Sequence, residues 1–319
     1  MGGNDNRVMS LLPHVSNTPI QGAAQLTHWG VIRASGADAA SFLHGQLTND
    51  FSRLGLGEAR LAGYCSAKGR LLASFIAWKS GPEDILLACH ASVLPATLKR
   101  LGMFVLRAKC KLTDATGEIP LFGVAGDAAL VGDLPVWGKR DADGSQVIRL
   151  PDAGGEVRAL VASPAAPLMP VLPLAAWQWL DVQSGVPTIE AATVEQFVPQ
   201  MLNFELVGGV NFQKGCYPGQ EIVARSQYRG TVKRRTFLFD VDGAATAGQE
   251  VFHSADPGQP AGMVALAAPQ PGDSGASALV EVKLSAIEQG TLHLGSPQGA
   301  MLHRRELPYP LLLDADQPA

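Results

Sequence analysis

The sequence lacks the short motifs that mark many nucleotide-binding and metal-dependent enzymes. It has no Gly-x-Gly-x-x-Gly fingerprint, no phosphate-binding P-loop and no His-Glu-x-x-His pair, so dinucleotide, nucleotide and zinc-protease functions have no support. The four cysteines lie far apart, and no two of them form a Cys-x-x-Cys pair: Cys65, Cys89, Cys110 and Cys216. This spacing argues against a structural zinc site and against an iron–sulfur cluster held by the chain alone.

Signals for membranes or export are also missing. Residues 1–21 contain no apolar segment behind a basic start. The apolar segment 164–173 contains four prolines, so we do not expect it to span a bilayer. We therefore expect a protein of the reducing cytoplasm without membrane contact. The formal net charge of −4 does not indicate a general nucleic-acid binder, so any basic surface must be local.

The pattern of apolar residues predicts an α+β fold with a separate all-β end. In 22–115, predicted strands alternate with two helices, which is typical of helices packed on one face of an antiparallel sheet. Residues 116–230 contain further strands and a predicted helix at 174–184. In 231–319 only short strands between Gly, Pro and Asp turns are predicted, which indicates a small β-barrel or sandwich. We expect these three segments to be separate domains.

One cysteine lies in an unusual loop. Cys216 is flanked by Gly215, Pro218 and Gly219, which supply the backbone angles of a tight turn. A short helix is predicted from Gln220 to about residue 230. A thiol ahead of a helix N-terminus, with a lysine two residues before it, is in a setting that favours the thiolate. The alternative is a buried cysteine that packs in a structural loop.

A basic segment follows this loop. Residues 222–239 contain no acidic residue. The segment has five basic residues: Arg225, Arg229, Lys233, Arg234 and Arg235. They could bind a carboxylate or phosphate tail or face RNA, or they could form a solvated helix and strand edge. The segment is short and has few aromatic residues, so we do not expect it to bind nucleic acid directly.

Two tryptophans and two carboxylates are further candidates. Trp29 and Trp177 lie beside polar residues and could offer a flat face to a planar heterocycle, although core packing is the commoner role. Asp50 and Glu221 lie among glycines and amides. They could take part in chemistry, but capping and turn closure are commoner roles for such residues.

The cysteine segment resembles a known family. The stretch Lys214-Gly-Cys-Tyr-Pro-Gly-Gln-Glu221, continuing to Arg225 and Gly230, is similar to the signature of the YgfZ-type folate-binding proteins. These proteins belong to the superfamily of the glycine-cleavage T-protein, an aminomethyltransferase. The likeness covers most of the chain and includes Phe42-Leu-His-Gly-Gln-Leu-Thr-Asn-Asp50, Lys68-Gly-Arg-Leu-Leu72, Gly185-Val-Pro187, Phe197-Val-Pro-Gln200 and Ala261-Gly-Met-Val264.

This resemblance implies a fold, a ligand and a role. The fold is two intertwined α+β modules and a C-terminal β-barrel, arranged as a ring around a central cavity that binds tetrahydrofolate or a related folate. The role is the maturation or repair of iron–sulfur enzymes, including those that thiomethylate tRNA, so the partners are such enzymes or assembly proteins. The resemblance makes Cys216 the functional cysteine and Trp29 and Trp177 the folate contacts. The supporting positions are Lys214, Gly215, Tyr217, Gly219, Gln220, Glu221, Arg225, Arg229 and Asp50.

One departure separates this chain from the aminomethyltransferases. In those enzymes an Asp-Asp pair supplies the catalytic carboxylate, and the matching positions here are Ala73 and Ser74. Without a carboxylate, general acid–base help to amine transfer is missing. We therefore expect a folate-binding accessory protein. The alternatives are a folate-dependent one-carbon transferase and a docking module for tRNA or protein.

Overall fold

Two five-stranded antiparallel sheets and a closed β-barrel make up the fold, as a computed structural model describing residues 20–228 and 232–311 shows. The first sheet has the strand order β3-β4-β5-β2-β6. Its strands are β2 (Trp29–Ser35), β3 (Ala59–Cys65), β4 (Leu71–Gly81), β5 (Asp84–His90) and β6 (Lys111–Asp114). Two helices, α1 (Ala39–His44) and α2 (Leu94–Val105), cover one face.

The first sheet carries buried apolar side chains on both of its faces. Ile32 and Phe75 point toward the two helices, with Leu101 of α2 in the same cluster. The neighbouring residues Val31 and Ile76 point to the opposite face, because side chains alternate along a strand. That opposite face packs against the second sheet.

The second sheet takes its first strand from the beginning of the described chain. Its order is β1-β7-β10-β9-β8, all antiparallel. The strands are β1 (Gly22–Gln25), β7 (Leu121–Ala125), β8 (Lys139–Ala142), β9 (Ser145–Ala153) and β10 (Glu156–Ala162). The two sheets are therefore intertwined, because β1 precedes the first sheet in the chain and pairs within the second. A one-turn helix, α3 (Ala128–Val131), follows β7.

A two-residue turn joins β8 to β9. Asp143 and Gly144 have φ angles of 49° and 77°, and Ala142 pairs with Ser145. Two consecutive positive φ angles at a two-residue loop are typical of the type I′ hairpin turn, for which Asp-Gly is a favoured sequence.

The C-terminal strands close into a six-stranded barrel. Its order is β11-β14-β13-β12-β15-β16, and β16 pairs back with β11. The strands are β11 (Arg234–Val241), β12 (Glu250–His253), β13 (Asp256–Pro269), β14 (Ala276–Lys283), β15 (Leu292–Leu294) and β16 (Met301–Arg305). The predicted α+β class with a C-terminal barrel is confirmed.

Two helices connect these parts. Helix α4 (Leu174–Gln183) packs against β13 and β14 of the barrel and also touches β1 and β9. Helix α5 (Gln220–Tyr228) follows the cysteine loop. Within residues 20–228 and 232–311, no helix is long and apolar enough to cross a membrane.

Candidate functional site

A cavity lies between the facing sides of the two sheets. It holds about 400 Å³ of space, part of it open to solvent. The first sheet contributes Trp29, Leu61 and residues 74–76, and the second contributes Leu150, Pro151 and Arg158. Residues 184 and 186–188, Trp137 and Asp181 complete the lining. Only about 30 Å³ of this space is open to the centre of a water molecule, so a planar ligand would have to widen the cavity.

Trp29 separates this cavity from a second one. It is the first residue of β2, it is half-buried, and it lines both spaces. The second cavity holds about 340 Å³ and lies where the first sheet, α4 and the barrel meet. Asp181 and Thr188 also line both. A flat ring at this boundary can offer a stacking face to a ligand in either space.

Trp177 has a different position from Trp29. It lies on α4 and is 1% exposed, and it is not part of the lining of either cavity. Its ring packs on the backbone of β7 at Gly123, where an added Cβ would lie 2.3 Å from the nearest ring atom. The glycine therefore leaves the space that the indole fills.

A buried arginine also packs against this indole. The guanidinium carbon of Arg158 lies 4.4 Å from the centre of the Trp177 ring, and its Nη2 donates to Asp181. Arg158 is 2% exposed, and its Nε finds no hydrogen-bond partner among the described residues. Burial raises the pKa of the Asp181 carboxyl, and the charge of Arg158 opposes that rise. The lining of the cavity therefore includes an ion pair, and Arg158 keeps one buried N–H donor that no described residue satisfies.

Of the two residues at the position of the missing carboxylate pair, Ser74 lines this cavity and Ala73 does not. Ala73 is fully buried, and Ser74 lines the cavity with Oγ accepting a hydrogen bond from Ile189 N at 2.9 Å. Neither residue can act as an acid or base at neutral pH. Asp181 is the acidic residue of the first cavity, and it reaches this cavity from α4.

The cysteine loop lies apart from both cavities, since none of residues 214–221 line them. Cys216 is exposed, whereas Lys214 and Tyr217 on either side are buried. The Lys214 ammonium donates to the carbonyl oxygens of His44 and Leu47, the latter at 3.0 Å, and lies 4.7 Å from the Tyr217 ring. Burial lowers the pKa of Lys214 to about 8, although the charges of Asp50 and Cys216 oppose this change.

Gly219 fixes the other end of the loop. Its φ is +79°, and an added Cβ would lie 2.4 Å from the carbonyl oxygen of Ser66 and 2.7 Å from Gly69. The loop therefore packs directly on the turn between β3 and β4. The predicted tight turn requires glycine here for both reasons.

Asp50 has a histidine partner that the sequence analysis did not identify. His44 Nδ1 lies 3.0 Å from Asp50 Oδ1, which also accepts hydrogen bonds from Ser52 N at 2.9 Å and Ser52 Oγ at 2.6 Å. Burial acts to raise the pKa of Asp50, but hydrogen bonds from Ser52 and Arg53 and the charge of His44 outweigh it, so the pKa is lowered. His44 belongs to the family motif Phe42–Asp50, but the sequence does not show that its ring faces Asp50.

Helix α5 carries the remaining signature residues. Glu221 and Arg225 are exposed, Gln220 is half-buried at the first helical position, and Arg229 lies outside the described residues. The basic segment does not form one solvated surface. Arg234 pairs with Glu281 on β14. Arg235 is 3% exposed and pairs with the buried Glu205.

Two neighbouring histidines line the second cavity. The rings of His28 and His90 lie 5.9 Å apart with an interplanar angle of 65°. Burial and the charge of His90 lower the pKa of His28 to about 4. In the described parts of the chain, no group of three or more His, Cys, Asp or Glu residues could hold a metal ion.

Comparisons with known proteins decide the family. No protein-family model matches the chain. A protein of Edwardsiella ictaluri named tRNA-modifying protein YgfZ is 32% identical over 242 residues, which is 67% of this chain and 69% of that protein. A protein of the same name from Photorhabdus laumondii is 33% identical over 250 residues, 70% of this chain and 72% of the relative. The chain belongs to the YgfZ family.

A solved structure shares the fold of this YgfZ-family chain. The glycine cleavage system aminomethyltransferase T from Bartonella henselae matches with a TM-score of 0.71, covering 91% of this chain and 87% of that one. The sequence identity is 16%, so this match concerns the fold alone. The family and fold inferred from residues 214–221 and the accompanying motifs are confirmed.

Proposed function

We propose that this protein binds tetrahydrofolate or a related folate in the cavity between the two sheets. In this proposal it acts as a cytoplasmic accessory protein in the maturation or repair of iron–sulfur enzymes, including those that thiomethylate tRNA. Membership of the YgfZ family supports the link to tRNA modification, because the relatives are named for it. The observation that carries the ligand proposal is the lining of the cavity by Trp29, Arg158 and Asp181.

These residues suit a folate in specific ways. The ring of Trp29 can stack on the planar pterin. The free Nε–H of Arg158 can donate to a ring carbonyl, and the carboxylate of Asp181 can accept from ring N–H groups. Trp177 would support the site from behind, by holding Arg158 in place. A bound folate would supply a carrier for one-carbon groups.

An accessory role fits this lining better than a transferase role. Ala73 and Ser74 provide no carboxylate, and Asp181 is already paired with Arg158. The pairing opposes the rise in the pKa of Asp181 that burial causes, so it weakens this carboxylate as a general base. A docking role for the basic segment has less support, since Arg234 and Arg235 are bound in ion pairs within the protein.

Anaerobic calorimetric titration of tetrahydrofolate into the purified protein tests this proposal. We expect saturable binding by the wild type and a loss of at least about tenfold in affinity for Trp29→Ala and for Arg158→Met. Tyr228→Ala removes an exposed ring outside the cavity and should bind like the wild type. Absence of binding by the folded wild type, or equal binding by all four proteins, would exclude the cavity as a folate site.

A further inference from the structure

A histidine–carboxylate pair lies against the cysteine loop, outside the cavity. Asp50 Oδ1 holds His44 through Nδ1 at 3.0 Å, so the other ring nitrogen, Nε2, is turned away from the carboxylate. This Nε2 lies 3.3 Å from the point that a Cβ on Gly215 would occupy. The free nitrogen of the dyad therefore faces the backbone of the residue just before Cys216.

Several contacts fix the loop against the end of α1 in this arrangement. Lys214 Nζ donates to the carbonyl oxygens of His44 and Leu47. Asn211 N donates to the carbonyl oxygen of Thr48 at 2.9 Å. The loop cannot shift along α1 without breaking these bonds. Gly215 is the residue at which the imidazole and the loop meet, and any side chain there would press on the ring.

The cysteine itself is available for reaction. Cys216 is exposed, and in the part of the chain that the structure describes its thiol makes no hydrogen bond. Consecutive Cα atoms lie about 3.8 Å apart, so the Cα of Cys216 is about this far from the Cα of Gly215, the residue that His44 Nε2 faces. The other cysteines differ from it, since Cys65 and Cys89 are buried and Cys110 is half-buried. Burial raises the pKa of the first two to about 12.

We propose that His44 is the proton acceptor for Cys216 and that Asp50 is a positioning residue that holds the imidazole for this task. Because the thiol makes no direct hydrogen bond to the ring, the proton passes from Cys216 Sγ to His44 Nε2 through one bridging water, which leaves a thiolate near an imidazolium whose Nδ1–H donates to Asp50. The thiolate then attacks a soft electrophile that arrives from solvent, such as the sulfur of a disulfide. A bond forms from Sγ to that sulfur, the second sulfur leaves with the electron pair, and His44 returns the proton to it.

Other charged groups around the pair define the background field. Asp50 faces Arg53 Nε at 3.8 Å, and Lys214 and Tyr217 flank the cysteine from its own loop. On the turn between β3 and β4, Lys68 is exposed, and Arg70 donates to the carbonyl oxygens of Glu195 and Gln196. This inference goes beyond the proposed function, because it holds whether or not the cavity binds a folate.

The rate of alkylation of Cys216 by iodoacetamide tests the inference. The modified Cys216 peptide is quantified by mass spectrometry from pH 5 to pH 10, so reaction at the other cysteines does not interfere. We expect the midpoint of the pH–rate profile to rise by at least one pH unit in His44→Gln, and the rate at pH 7 to fall about tenfold. His303→Gln is a matched control, since His303 pairs with Asp242 in the barrel. It should react like the wild type.

Asp50→Asn separates the proposal from a simple field effect. If Asp50 acted only through its negative charge, its removal would favour the thiolate and speed alkylation. In the proposed arrangement, its removal destabilises the imidazolium and slows alkylation. Unchanged rates in His44→Gln, or faster alkylation in Asp50→Asn, would overturn the proposal.

Rescue by added imidazole distinguishes loss of the proton acceptor from displacement of the cysteine loop. His44→Ala leaves space beside the loop, and added imidazole should restore the alkylation rate in a saturable manner that follows its neutral form. A loop that is merely displaced would not regain its rate. Absence of rescue in a His44→Ala protein with a wild-type circular dichroism spectrum would also contradict the role of His44.

Discussion

Gly219 shows at the level of one residue how the cysteine loop is positioned. Its φ of +79° is unfavourable for other residues, and a Cβ added there would collide with Ser66 and Gly69. Gly144 has nearly the same φ of +77°, but an added Cβ there would meet nothing within 4 Å. Alanine at Gly144 would therefore suffer only backbone strain, whereas alanine at Gly219 would suffer strain and a steric collision.

We expect Gly144→Ala to lower the free energy of unfolding by about 1 kcal/mol, the cost of a positive φ for alanine. Gly219→Ala should cost at least about 3 kcal/mol, since the collision with Ser66 adds to the strain. Urea denaturation of both variants measures the difference. Equal losses would mean that the loop does not pack on the turn as tightly as we describe.

His28 makes stability depend on pH. Its folded pKa of about 4 is below the ordinary value of 6.5, because burial and the charge of His90 disfavour the protonated ring. The unfolded chain thus binds a proton first as the pH falls. The free energy of unfolding is therefore unaffected by this titration above pH 6.5, and it decreases as the pH falls from 6.5 toward 4.

We expect His28→Gln to remove about 1–2 kcal/mol of the fall in unfolding free energy between pH 7 and pH 4. The full shift would give more, but the ring is partly exposed to solvent and its effect is screened. Urea denaturation at a series of pH values measures this. Parallel stability curves for the wild type and His28→Gln would contradict the prediction.

At the level of elements, a buried ion pair attaches the barrel to the segment before the cysteine loop. Arg235 on β11 pairs with Glu205 and also donates to the carbonyl oxygen of Gln200 at 3.0 Å. Both charged side chains are nearly inaccessible, at 3% and 5% exposure. Burial raises the pKa of Glu205, and the charge of Arg235 opposes this rise.

We expect Arg235→Met to cost about 3–5 kcal/mol, because it leaves the Glu205 carboxylate buried without a partner. The double variant Arg235→Met/Glu205→Leu should recover most of that loss, since no isolated charge remains. A thermodynamic cycle from urea denaturation of the single and double variants gives the coupling. Additive losses would show that the two residues do not stabilise each other.

Some elements could be predicted from local sequence and others could not. The helix predicted at 174–184 is α4 (Leu174–Gln183), because apolar residues and a following Gly and Pro mark it clearly. The strand β8 (Lys139–Ala142) has no comparable signal in its local sequence. It contains Lys139, Arg140 and Asp141, and charged residues of this kind are not typical of a strand. Pairing with β9 stabilises the strand, and the local sequence does not show that pairing.

The candidate site shows the same limit. The tight loop at Cys216 could be predicted from its glycines and proline, and the family from its motif. The contact of His44 with this loop could not, because Lys214 and His44 are 170 positions apart. The environment of Trp177 depends similarly on Gly123 and Arg158, which lie on other elements. Whether Trp177 affects folate binding stays a prediction.

At the scale of the whole molecule, every candidate site lies where separate parts meet. The first cavity lies between the two sheets, and the second lies where the first sheet, α4 and the barrel meet. The cysteine loop packs on the first sheet's turn and on the end of α1. Strand β1 precedes the first sheet in the chain and pairs with β7 of the second, which links the two sheets. The third part, the barrel, is closed on itself. A ligand in the cavity and a reaction at Cys216 would therefore act on connected parts of one structure.

We propose that the cavity and Cys216 together support an iron–sulfur enzyme that thiomethylates tRNA. The most direct test measures the fraction of thiomethylated tRNA by mass spectrometry in cells that lack this protein and receive one variant each. We predict that the wild type and Tyr228→Ala restore the modification, whereas Trp29→Ala and Cys216→Ala do not, at equal amounts of folded protein. Full restoration by both Trp29→Ala and Cys216→Ala would contradict the claim.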